Sequence, residues 1–302
     1  MDGFIVIDKP AGMTSHDVVS AVRRVLRMKK VGHTGTLDPF ATGVLPMALG
    51  EATKAIPFLD EGRKEYRAVM RLGEATDTQD CTGTVTERSD WRSVTPALLE
   101  EVRCRFMGRI SQVPPMFSAL KRDGVPLYKL ARRGDEVERT AREIEVFSLA
   151  IERIELPEVA FTVRCSRGTY VRTLAHDMGR ALGCCGHLVA LQRTMSGPFV
   201  LARAVSLDRL AELAGAGGVA ELVITPYEAL AHLRDLPVAE EGEAKVGYGI
   251  APEMDEWAPA LVPGERLRIS RGKRLLAVAE TAGETAPGAG KKIRLVRVFN
   301  QL

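Results

Sequence analysis

Hydrophobic and polar positions along the 302-residue chain change period several times, and each change marks an element. Phe4 to Ile7 is an unbroken apolar run closed by Lys9-Pro10-Ala11-Gly12, which predicts a short buried strand over Gly3 to Asp8 and a turn after it. Val18, Val19, Val22, Val25 and Leu26 recur at helical spacing, with Ser15 placed as N-cap and Asp17 in the first turn. Val44 to Leu49 reads as strand and Glu51 to Leu59 as a short helix. From Lys64 to Leu72 the period falls to two, setting Tyr66, Ala68, Met70 and Leu72 on one face and Arg67 and Arg71 on the other. Thr95-Pro96 opens a helix whose apolar stripe is Leu98, Leu99, Val102 and Phe106 and which Gly108 stops.

Glu143 to Glu155 and Val159 to Cys165 predict paired strands, and Ser166-Arg167-Gly168-Thr169 turns the chain into a helix from Tyr170 to Leu182. His187 to Thr194 returns as strand, and Ser206 caps a helix carrying Leu207 and Leu210. Ala211 to Glu221, with AGAGG at its centre, reads as a linker. Thr225-Pro226 starts another helix, and from about Pro237 short strands around Leu267, Leu275 to Val278 and Ile293 to Phe299 predict a small β domain. The length alone suggests two domains.

Composition changes this picture little. Hydrophobic residues make up 45% and charged residues 27%, as in ordinary globular proteins, and no run approaches the roughly 18 apolar residues of a membrane span. Without a leader segment, and with five cysteines at no framework spacing, a cytoplasmic protein with reduced thiols is expected. Cys184 and Cys185 are adjacent but lack the CxxC or His-x3-His company of a zinc centre. The net charge of +3 is uninformative, yet its distribution is uneven. Six arginines (164, 167, 172, 180, 193, 203) face one acid, Asp177, between Phe161 and Arg203, which suits a polyanion-binding face as well as a solvated surface. Residues 114 to 142 carry seven basic and four acidic side chains around an Asp123-Gly124 turn and only a short helical pattern at Leu127 to Leu130, an excursion suited to ordering on a nucleic acid.

The densest chemistry lies in Val31 to Pro46, VGHTGTLDPFATGVLP. Gly32, Gly35 and Gly43 permit positive φ or close approach, and Pro39 biases Leu37 and Asp38 towards extended backbone. Asp38 in such a loop is a candidate nucleophile, general base or metal ligand, or a turn aspartate bonded to its own loop.

GHTGTLDPFATGVLP resembles the catalytic-loop signature of the bacterial tRNA pseudouridine-55 synthases. Further blocks resemble that family in the same order: GFIVIDKPAGMTS, GEATK, KEYRAVMRLGEATDTQD, PPMFSALKRDGVPLYKLARRG, CSRGTYVRTLAHDMGRALGC and HLVALQRT, spanning residue 3 to about 195. The resemblance implies an α+β pseudouridine synthase fold with a mixed, mainly antiparallel sheet flanked by helices and loops. It implies a catalytic domain over residues 1–235 with an RNA-gripping thumb at about 114–142, and a PUA-type, barrel-like RNA-binding domain over 236–302. It further implies isomerisation of the uridine at position 55 in the tRNA T-loop, with no cofactor or metal, by a monomer. Asp38 is then the nucleophile, Arg172 the cation that holds it ionised, and Tyr66 the active-site tyrosine. His33 fills the gap left by the extruded base, Tyr170 and Leu191 line the pocket, and Lys9 and Lys54 are basic positions near it. A non-catalytic RNA-binding module on the same scaffold fits the tail and thumb equally. A glycosidase would need a second carboxylate, for which Asp77 and Asp80 are the nearby acids.

Overall fold

The computed structural model describes residues 1–60, 62–252, 262–281 and 293–299. Strand β1 (Gly3–Lys9) leads into helix α1 (Ser15–Leu26), whose N-cap is Thr14 rather than the expected Ser15. Thr14 and Asp17 form a capping box there, each side chain bonded to the other's backbone N–H. Ser15 is left free for a different task, described below. Strands β2 (Val31–His33) and β3 (Thr42–Leu49) bracket the Asp38 loop and pair antiparallel with each other. Residues Gly50–Phe58 wind as a 3-10 helix, and β4 (Arg63–Leu72) follows with Tyr66, Ala68, Met70 and Leu72 buried, as its alternation requires.

Two short strands, β5 (Glu74–Thr76) and β6 (Val85–Arg88), form a hairpin whose tip carries Asp77 to Thr84. Helix α2 (Pro96–Arg105), capped by Thr95, precedes β7 (Gly108–Gln112). The basic excursion contains a two-residue ladder, β8 (Lys121–Arg122) with β9 (Val125–Pro126), turned at Asp123-Gly124, and helix α3 (Leu127–Ala131). Long strands β10 (Arg142–Glu155) and β11 (Glu158–Ser166) pair antiparallel, α4 (Val171–Ala181) follows, and β12 (Gly186–Ser196) returns through the sheet.

After β13 (Phe199–Val200) and β14 (Ala204–Val205), the AGAGG stretch is not a linker. Helix α5 (Leu207–Ala216) runs through Ala211, Gly217 closes it in a left-handed conformation, and a 3-10 turn (Gly218–Leu222) follows. Leu210 and Val219 sit in the core, so apolar side chains at helical spacing outweighed the glycines that suggested flexibility.

The main sheet has ten strands in the order β14-β1-β3-β12-β4-β11-β10-β7, with β13 and β2 attached beside it. Only the β1–β14 and β3–β12 pairings within it are parallel, so the sheet is mixed and mainly antiparallel as expected. Helices α1, α4 and α5 cover one face around Val18, Val22, Leu174 and Leu210.

Helix α6 (Pro226–Ala229) leads to β15 (Arg234–Pro237), α7 (Glu240–Gly247), β16 (Arg266–Arg271), β17 (Arg274–Thr281) and β18 (Ile293–Val298). These four strands form a second sheet in sequence order, with β15 parallel to β16. Leu275, Val278 and Phe299 from it share one apolar cluster with Phe4, Val6, Val44 and Ala48, joining it to the opposite face of β1 and β3. The part of the expected tail domain at 253–261, 282–292 and 300–302 lies outside the described residues.

Candidate active site

Pairing of β3 with β1 on one side and β12 on the other fixes the two ends of the Asp38 loop. Of its glycines only Gly43 uses the left-handed region, at φ 97°, and a Cβ there would meet the Arg193 carbonyl oxygen at 2.2 Å. Gly32 and Gly35 have ordinary backbone, so the expected freedom is spent at a single position. Ser15 clamps the residue before Asp38: its hydroxyl accepts from the Leu37 N–H at 2.9 Å and lies 3.2 Å from the Leu37 carbonyl. The residue after it is held too, because the Pro39 carbonyl accepts from Gly12 N–H (2.8 Å) and from Lys9 Nζ (3.1 Å).

The Asp38 carboxylate meets Arg172 with both oxygens, Oδ2 at 2.9 Å from Nε and Oδ1 accepting from Nη2 at 3.1 Å. Arg172 stands at the second position of α4 and is 3% exposed, whereas the Asp38 side chain is 34% exposed, so a buried cation holds a half-buried carboxylate that still reaches the surface. The guanidinium is shared. It also donates to the carbonyls of Thr78 (2.7 Å) and Phe117 (2.8 Å) and lies 3.4 Å from Asp80 Oδ2.

That sharing alters the expected electrostatics. Burial pushes the Asp38 carboxyl above its ordinary value; Arg172 pulls it back, but Asp80 across the same guanidinium pushes it up again. Arg172 stands beside Asp38 as the resemblance implies, and the same guanidinium also faces Asp80. Asp80 is itself tied down, its Oδ1 accepting from the Thr78 hydroxyl (2.8 Å), the Thr82 hydroxyl (2.5 Å) and the Thr82 N–H (3.0 Å). Its second oxygen faces the guanidinium, so Asp80 orients Arg172 rather than acting as the partner acid of a glycosidase.

Tyr66 is 8% exposed, and burial pushes its hydroxyl up to about 12, with Arg193 pulling down and Asp38 adding to the rise. Tyr170, the N-cap residue of α4, exchanges two backbone hydrogen bonds with the Gln112 side chain (2.8 and 3.1 Å). Its hydroxyl is raised by burial and feels both Arg172 and Asp38. Asp38, Tyr66 and the pair Tyr170 and Arg172 thus come together from three separate parts of the sequence.

Lys9 is fully buried and donates to the carbonyls of Pro10 (2.8 Å), Met13 (2.6 Å) and Pro39 (3.1 Å); burial lowers it to about 8. His33 closes β2 opposite Met47, five positions before Asp38. Leu191 lies opposite Ala68 and lines a hollow of about 310 Å³ with Phe40, Thr42 and Gln192, which Asp38, Tyr66 and Arg172 do not line. Lys54 stands apart, paired with Glu51 on the 3-10 helix beside the second core.

The basic run is thinner on the surface than in the sequence. Arg172 and Arg193 are buried, and Arg164 and Arg180 pair with Glu65 and Glu87. Asp80 and Arg193 are the residues whose places sequence reasoning missed, since it read Asp80 only as the spare acid of a glycosidase and Arg193 only as one of a basic run. Their signals were an aspartate flanked by threonines in TDTQDCT and a charged residue at the inward parity of a strand, two after Leu191.

Two family descriptions match the chain: TruB family pseudouridylate synthase (N terminal domain) over residues 23–171, and tRNA pseudouridylate synthase B C-terminal domain over 172–231. The chain is 59% identical to tRNA pseudouridine synthase B of Geobacter sulfurreducens, over 99% of this chain and 100% of that protein. The chain belongs to the TruB family of pseudouridylate synthases. The tRNA pseudouridine synthase B of Syntrophotalea carbinolica, 44% identical over 99% of this chain and 98% of that one, is another relative. Among solved structures, one described as a Cbf5-Nop10-Gar1 complex matches with a TM-score of 0.75 and 30% identity, covering 99% of this chain and 85% of that chain. The TruB blocks thus extend well beyond the Asp38 loop and include Arg172 at the junction of the two family segments.

Proposed function

We propose that this TruB-family chain isomerises uridine to pseudouridine in tRNA, at position 55 of the T-loop, with Asp38 as the attacking carboxylate. The observation that carries the reading is the two-oxygen contact between a half-buried Asp38 and a buried Arg172, inside a chain 59% identical to a named tRNA pseudouridine synthase B.

The reaction breaks the N-glycosidic bond, turns the uracil and rejoins it through carbon. A uridine inside a folded loop must first leave its stack, which costs a few kcal/mol. His33, near the loop entrance, stacks in the vacated space. The flipped base enters between Tyr66 and Tyr170, with Tyr66 as aromatic face and proton-transfer group. Asp38 reacts as its carboxylate, and Arg172 supplies the positive charge that stabilises the ionised form as the docked RNA removes water. Lys9 holds the Pro39 carbonyl beside Asp38, while Lys54 contributes at a distance through RNA contact. No cofactor or metal enters this scheme, and the chain acts as a cytoplasmic monomer.

Residues 1–235 form the catalytic part in this reading, with 114–142 as the thumb on the RNA and 236–302 as a PUA-like RNA-binding part. The carbonyl of Phe117, at the base of the thumb, accepts from Arg172 Nη2, which ties the thumb to the site. A non-catalytic RNA-binding module would have no use for the Asp38–Arg172 contact. Incubation with a T-stem-loop RNA, without added metal or nucleotide, followed by cyanoethylation and mass spectrometry, is expected to give an adduct at the T-loop uridine. Binding without adduct would favour the module.

A further inference from the structure

Arg193 is among the largest fully buried side chains of the protein, at 0% exposure. Among the described residues no carboxylate forms an ion pair with it, which is costly unless its donors are otherwise met. They are met by the catalytic loop. Nε donates to the Val44 carbonyl (2.8 Å), Nη1 to Thr36 (3.3 Å) and Nη2 to Gly35 (3.1 Å). These carbonyls flank Asp38 on both sides, so one guanidinium joins the start and the end of the loop. Its own backbone is packed against Gly43, where a Cβ would lie 2.2 Å from the Arg193 carbonyl oxygen. On the neighbouring strand its cross-strand partner is Tyr66, whose hydroxyl it influences directly.

We propose that Arg193 is a positioning residue that sets the Asp38 loop and the Tyr66 hydroxyl relative to one another from beneath the site. This rests on the catalytic reading above only for its kinetic consequence; the tethering of the loop stands apart from it. Arginine suits the task because its planar fork presents several donors in fixed directions to several carbonyls at once, which lysine cannot do. A neutral guanidinium-free core would leave those carbonyls without donors, and an acid partner would compete with them.

The test compares Arg193→Met and Arg193→Lys with the parent, each also in a Tyr66→Phe background. Single-turnover rate on a T-stem-loop RNA is expected to fall about 100-fold in Arg193→Met, with RNA affinity within about threefold, and Arg193→Lys to recover part of the loss. In the Tyr66→Phe background the same Arg193→Met change should cost less than about tenfold, because the two residues act as a unit. Rates within threefold of the parent in both variants, or an equal loss in both backgrounds, overturn the proposal. If Arg193→Met does not fold, Arg193→Lys decides by the same criteria.

Hydrogen exchange supplies the arm that needs no activity. Amides of residues 35–44 in Arg193→Lys should exchange about tenfold faster while those of α1 keep their protection. Unchanged exchange overturns the proposal even if the parent proves inactive, and an inactive parent with faster loop exchange would instead remove the catalytic reading and leave the tether.

Discussion

A single guanidinium between two carboxylates is the tightest electrostatic feature of the site, and it makes the roles of Asp38 and Arg172 separable. Because the folded Asp38 carboxyl lies above its ordinary value of 3.8, its ionisation costs folding free energy; the cost is complete above the folded pKa and vanishes below the unfolded one. Asp38→Asn is therefore expected to match or exceed the parent in melting temperature at pH 7, with the gap closing as the pH falls towards 4; a large loss at pH 7 contradicts this. By the same sign, the acid limb of the single-turnover rate should have its midpoint above 3.8. Arg172→Ala acts in the opposite direction, leaving Asp38 and Asp80 facing each other without the guanidinium between them. Urea unfolding should show a loss of about 3–5 kcal/mol, partly regained by adding Asp80→Asn. Asp38 and Arg172 could be assigned from local motifs, whereas the place of Asp80 beside Arg172 could not. Its role depends on β5 and β6 folding back to place the hairpin tip beside α4, a contact between residues 92 positions apart that no local pattern encodes.

Elements were most legible where one period governed them. The alternation of β4 and the apolar stripe of α1 became the buried faces they promised, because each buries that face on the same core. Where glycine spacing competed with apolar spacing, as in α5, packing of Leu210 and Val219 prevailed. The Asp38 loop shows the reverse dependence. Its shape rests on Gly43, and Gly43→Ala should destabilise the protein by at least about 1–3 kcal/mol in chemical denaturation, since the left-handed backbone is strained with a side chain and the Arg193 carbonyl has nowhere to move. Full stability in that variant would show the β3–β12 junction to be looser than described. The segment 114–142, proposed above as the thumb, is an element of a different kind, with few buried apolar side chains beyond Leu127 and many exposed basic ones. Replacing Lys121, Arg122, Lys129 and Arg133 by Gln should weaken RNA binding and flatten its salt dependence by up to about 0.7–0.9 per lost phosphate contact. The rate at saturating RNA should stay close to that of the parent; an unchanged salt slope would place the RNA elsewhere.

At the scale of the molecule, the two sheets meet through a shared apolar cluster rather than through a free linker, with Phe299 and Leu275 packed among Phe4, Val6 and Val44. The sequence marked the change to short strands near Pro237 but not this docking, because apolar residues that cover another sheet look no different from those of an internal core. The arrangement brings the tail to the back of β1 and β3, the strands whose far ends carry Lys9 and the Asp38 loop. The site itself is assembled from α4, β4, β12, the β5–β6 tip and the loop between β2 and β3. In the proposed reaction this assembly delivers one carboxylate to an extruded uridine. The most direct test is cyanoethylation mass spectrometry of a T-stem-loop RNA after saturating incubation with Asp38→Asn, beside a binding measurement on the same variant. RNA binding within a few-fold of the parent and no pseudouridine adduct are expected; pseudouridine formed at the parent rate by that variant would rule out Asp38 as the attacking group.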